Sequence, residues 1–206
     1  MFEADVQLVL NEYLSGQVPE KNFEQESRPW TNYATDYKPI VQYAKEQHIP
    51  FIATNVPRRY AAMVSGGGLS ALQGITTEAK KYIAPQPITV DMELPGYKNM
   101  LAMFGNSTHG NTKSQNIVQA QALKDATMAH FILGQLQQGK QVLHLNGAYH
   151  SDNFEGIGWY LKQARPQAQL RTITTVYQED LEKLSEDHKS KADFILVVPQ
   201  SMTKTY

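Results

Sequence analysis

Four short runs of strand-forming residues constrain this chain more than any other feature. Residues 49–55, 141–146, 170–177 and 194–198 are each apolar or β-branched and of strand length. Stretches with helical spacing separate them. Strands that alternate with helices imply an α/β fold, a mainly parallel β-sheet flanked by helices on both faces. The last run, Phe-Ile-Leu-Val-Val, lacks polar alternation, as expected of a central strand. Pro50 suits only the first position of its strand.

The intervening segments read as follows. Val6, Val9, Leu10, Tyr13 and Leu14 form an apolar stripe on a first helix. Asp36 is a candidate cap for a helix over about 37–47. Pro57 sits in the first turn of the next helix, which stops at Gly66-Gly67-Gly68. Residues 74–113 hold Pro85, Pro87, Pro95, Gly96, Gly105 and Gly110, so a small irregular or helical lobe is expected around 70–113. A long helix follows over about 114–138, with Val118, Leu123, Ala126, Ala129, Ile132, Leu133 and Leu136 inward. A further helix opens at Gly156 and ends before Pro166. Residues 179–191 read as a solvated helix.

Length and composition bound the function. The 206 residues suffice for one domain with a sizeable core, and 1–206 is read as a single unit. A net charge of -1 gives no electrostatic footprint for nucleic acid, so no nucleic-acid partner is expected. The absence of cysteine excludes disulfides, thiolate catalysis and iron–sulfur clusters. No apolar run approaches the ~18 residues of a membrane span, and no signal peptide is read. A helix with no strand before it is unusual in an α/β chain. The expectation is an amino-terminal truncation that removed a strand and any export signal.

In parallel sheets ligands bind at the carboxyl ends of strands. Two chemically rich segments fall there. In Gly147-Ala148-Tyr149-His150, Gly147 permits positive φ and close backbone approach. His150 offers an imidazole nitrogen for iron or zinc. Tyr149 offers a phenolate, a hard ligand suited to ferric haem. In Asn55-Val56-Pro57-Arg58-Arg59-Tyr60, a helix start beside two guanidinium forks makes an anion site, suited to a propionate, another carboxylate or a phosphate. His109 lies in a breaker-rich loop and is a weaker candidate. His144, inside its strand, reads as a core histidine with its hydrogen bonds satisfied. The metalloprotease, serine-hydrolase, phosphate-loop and dinucleotide motifs are all absent.

Taken in order, several segments resemble the ChaN-like haem-binding family, part of a larger group with Tiki-type peptidases, TraB-like proteins and erythromycin esterases. They are Met1-Phe2-Glu3, Ser27-Arg28-Pro29-Trp30, Asp36-Tyr37, Ala53 to Arg59, Lys124 to Ala129, and Asn146 to His150. The resemblance is weakest over residues 70–113. It implies haem binding in bacterial iron uptake without turnover, by an exported and often lipid-anchored protein, periplasmic or membrane-attached. It places the haem pocket around Asn55, Arg58, Arg59, Gly147, Tyr149 and His150, with His109 as an outlier and the iron on Tyr149 or His150. A flat haem on an open sheet rim can be shared by two chains, which allows a homodimer. The departure is an earlier G-E-x-H-like strand, absent here. In the Tiki-like relatives two G-x-x-H motifs and a glutamate serve a metal. One such motif remains, which disfavours the alternative of a zinc-type metal hydrolase or peptidase.

Overall fold

One helix organises the molecule. In the computed structural model, which describes residues 1–105 and 110–205, α7 (Gly110–Leu136) is wrapped by three others. These are α4 (Arg58–Gly67), α6 (Pro95–Gly105) and α8 (Ile157–Ala164). Between Val118 and Ala129 nearly every α7 residue is buried. The small residues Ala120, Ala122, Ala126 and Ala129 let neighbouring backbones approach closely. Against α4, Leu123 and Ala120 meet Val56, Tyr60 and Val64. Against α6, Val118 and Ala122 meet Tyr97 and Met100. Against α8, Met128, Ala129 and Ile132 meet Ile157 and Leu161.

A second core lies at the amino-terminal end. Here α1 (Gln7–Leu14), α2 (Glu20–Glu26) and α3 (Lys38–Glu46) close over Phe2, Leu10, Tyr13, Phe23, Tyr33 and Val41. The rings of Tyr13 and Phe23 stack with centroids 4.4 Å apart. Asp36 does not cap α3. It takes hydrogen bonds from Asn32 and Thr205 instead, and Tyr37 precedes the helix without a side-chain cap. The triple glycine ends α4 as expected: Gly68 has φ 71° and its N–H reaches the Val64 carbonyl.

The class is mixed α/β, but the sheet is small. Strand β1 (Ile173–Gln178) pairs in parallel with β2 (Phe194–Pro199), from Ile173 opposite Phe194 to Gln178 opposite Pro199. A parallel bridge joins Glu3 to Asn55, through Asn55 N–H to Phe2 O and Ala4 N–H to Asn55 O. Residues 141–146 were expected to be a buried strand, and here the expectation is corrected. The segment is extended, but its backbone makes no ladder with the described residues, and Leu143 is 82% exposed. Its alternation survives, with Val142 and His144 inward and Leu143 and Leu145 outward. Period two encodes an extended backbone, not the partner that turns it into a strand. The expected helix over 179–191 is likewise replaced, by a turn at Asp180 and a short 3-10 turn at Glu186–His188. The segment has only Leu181 and Leu184 to bury, and Leu181 is left exposed, while Asp180 and Gln178 satisfy its backbone locally.

The lobe at 70–105 is helical, with α5 (Thr77–Lys80) and α6. Thr127 of α7 ties it down. Its buried hydroxyl accepts the Ala84 N–H at 3.1 Å. Thr127→Val keeps the shape but leaves that N–H unpaired. A loss of about 1–3 kcal/mol is expected in denaturant unfolding, with an unchanged m-value.

Candidate functional site

The extended segment 141–147 delivers a short 3-10 turn, Ala148–His150, closed by His150 N–H to Gly147 O at 3.0 Å. Asn146 staples it, donating to Gly147 O and to Ser151 Oγ, each at 2.9 Å. Gly147 does not use its conformational freedom. Its φ is -67°, and a Cβ there would meet open space. The constrained glycine is Gly156, with φ 52°. A Cβ on it would lie 2.5 Å from the His150 carbonyl oxygen and 3.3 Å from Asp125 Cγ. Gly156 is what lets the start of α8 seat over the turn.

His150 points at α7. Its Nδ1 lies 2.5 Å from Asp125 Oδ1 and 2.9 Å from Gln121 Nε2. Asp125 is fully buried, and its Oδ2 accepts the Tyr97 hydroxyl at 2.9 Å. Burial pushes the Asp125 carboxyl above its usual range, opposed by the hydrogen bonds from His150 and Tyr97. Burial, with Asp125 second, holds the Tyr97 phenol neutral; burial does the same for Tyr160, whose hydroxyl donates to Thr89 O. Among the described residues, His150 Nε2 makes no hydrogen bond. Tyr149 is 52% exposed, and its hydroxyl donates to Gly96 O at 3.3 Å.

The second cluster forms where the chain passes from Asn55 into α4. Arg58 and Arg59 are 66% and 45% exposed and already paired. Arg58 Nε donates to Glu3 Oε1 and Arg59 Nη1 to Asp5 Oδ2, each at 2.5 Å. Arg28 bridges both carboxylates, at 3.3 Å from Glu3 and 2.6 Å from Asp5. Three guanidinium groups against two carboxylates leave one positive charge in excess at the start of a ten-residue helix. Asn55 Oδ1 is buried without a hydrogen-bond partner among the described residues.

The structure therefore groups Asn55, Arg58 and Arg59 in one place and Tyr149 with His150 in another. The link between them runs through side chains. Thr54 Oγ1 bonds His144 Nε2 at 2.8 Å, His144 Nδ1 bonds Asn146 Oδ1 at 3.0 Å, and Asn146 holds Ser151. Burial lowers the His144 pKa, so the ring is a neutral bridge, donating from Nδ1 and accepting at Nε2. His144 is thus the satisfied core histidine the sequence indicated. His109 lies outside the described residues. Sequence reasoning missed Asp125, Gln121, Tyr97, Glu3 and Asp5. A signal for Asp125 was present: it is a lone acid on the apolar side of the long helix, where an unpaired carboxylate is costly.

Comparison with known proteins decides the family. The model of a family described as haem-binding uptake, Tiki superfamily, ChaN matches residues 1–161. The chain belongs to this ChaN family. The match runs from the amino-terminal core into α8 and covers both clusters. No characterised protein and no solved structure matches the chain. Among the described residues, no three histidine, aspartate or glutamate side chains converge as a metal site, and no helix is long and apolar enough to cross a membrane.

Gly156 tests the geometry of the turn. Gly156→Ala places a methyl group against the His150 carbonyl at a strained φ. A loss of about 1–3 kcal/mol is expected, read as a lowered denaturant midpoint.

Proposed function

We propose that this ChaN-family protein binds haem in bacterial iron uptake, without turnover, through an iron ligand drawn from the Tyr149–His150 pair. The observation that carries this reading is a lightly tethered, exposed phenol next to an imidazole whose Nδ1 alone is occupied. Bound haem would supply a ferric iron with axial positions to fill and two propionate carboxylates. The donor set fits such a group. A phenolate is hard and anionic, and among the described residues His150 Nε2 makes no hydrogen bond. Arg58 and Arg59 each give one nitrogen to an acid, and Arg59 also lies over the Tyr60 ring; the outward nitrogens of the two forks would meet propionates. Export to an extracytoplasmic compartment, where uptake proteins meet haem, belongs to the same reading.

Hemin titration followed at the Soret band tests the ligand. Tyr149→Phe and His150→Ala are each expected to weaken binding at least tenfold, about 1.4 kcal/mol. Affinity unchanged in both variants would refute the assignment.

Arg59→Gln probes the propionate side. Asp5 keeps Arg28 in this variant, so the fold should hold. Hemin affinity should fall severalfold, and its dependence on ionic strength should flatten. An unchanged salt dependence removes Arg59 from the site.

A hydrolase of the Tiki or erythromycin-esterase type has one observation in its favour, the Asp125–His150 pair, which is the arrangement that orients a general base. Stoichiometric zinc or manganese in purified protein, with no Soret response to hemin, would favour it.

A further inference from the structure

Asp125 cannot touch a ligand. Its side chain has no exposure, whereas that of His150 in front of it is 19% exposed. What it can do is act through the imidazole. A free neutral imidazole distributes its proton between two nitrogens, and only the nitrogen without the proton can bind a metal. In this protein the acceptor beside Nδ1 is a carboxylate, with a side-chain amide as its neighbour. The Asp125 carboxylate lies 2.5 Å away, with its second oxygen engaged by Tyr97, and the Gln121 amide lies 2.9 Å away. As placed, Gln121 presents its amide nitrogen, a donor, to Nδ1; a half-turn of the amide keeps its shape and brings Oε1 there instead, and it is in that orientation that Gln121 accepts once Nδ1 carries the proton.

We propose that Asp125 is a positioning residue that holds the proton on His150 Nδ1, and so fixes the ring with its Nε2 lone pair as the donor available outside the core. Tyr97 restrains the carboxylate from behind, and Gly156 provides the room for the turn to close on the pair. Buried carboxylates behind metal-binding imidazoles set the tautomer and strengthen the donor in this way. The relevance to haem rests on the reading of His150 given above. The tautomer itself does not, and it can be measured without haem.

The test is two-bond 15N–1H correlation of the imidazoles in uniformly 15N-labelled apoprotein, with His150→Gln identifying the resonance. Wild-type His150 should show a protonated, pyrrole-type Nδ1 with a low-field proton and an unprotonated, pyridine-type Nε2. Asp125→Asn should lose the low-field proton and shift both nitrogens toward the averaged values of a ring exchanging tautomers. Tyr97→Phe, which leaves the carboxylate in place, should keep the wild-type pattern. Hemin affinity should fall at least tenfold in Asp125→Asn. A pyridine-type Nδ1 in the wild type overturns the proposal, and that outcome needs no variant to fold. An unchanged ring in folded Asp125→Asn also overturns it, whatever hemin does. A switched ring with unaltered hemin affinity upholds the positioning role and removes His150 from the haem site instead.

Discussion

Burial of α7 on several sides is the constraint on which the rest of the molecule depends. A helix that meets α4, α6 and α8 cannot keep one polar stripe along its middle. Its alanines answer that demand by shortening the distance to each neighbour. The same burial makes every polar group on that stretch consequential. Thr127 and Asp125 are fully enclosed, and each has a specific partner, Ala84 N–H in one case and His150 with Tyr97 in the other. An enclosed hydroxyl or carboxylate without such partners would cost more than the helix could readily offset.

The site is a consequence of that packing. The turn Ala148–His150 lies on α7 because Gly156 permits contact and Asp125 meets it with a 2.5 Å hydrogen bond to His150. Core and site are therefore built from the same atoms. Tyr149 stays half-exposed beside the turn, with its hydroxyl on Gly96 O, and contributes little to the core. The arginine cluster follows a different logic. It sits at the surface, where each ion pair is worth little to stability, and it leaves one uncompensated charge at a helix start.

Much of this was legible in the chain, because local spacing governs it. The long helix, its inward residues, the glycine stop of α4 and the adjacency of Asn55, Arg58 and Arg59 all follow from residues a few positions apart. Tyr149 and His150 were legible for the same reason. The loss of a helix over 179–191 was not, since charge spacing does not show that Gln178 and Asp180 take up the segment's backbone groups. The unpaired state of residues 141–146 was equally hidden.

By itself the sequence determined the long helix, the glycine stop of α4 and the extended course of residues 141–146, because dihedral preference and apolar period act over a few residues. Tertiary structure alone decided which extended segments find a ladder, which acids neutralise Arg58 and Arg59, and which nitrogen of His150 is covered. Asp125 precedes His150 by 25 positions and Glu3 precedes Arg58 by 55. No local pattern encodes a contact across such distances. It arises only when helices pack and a buried charge must find its partner.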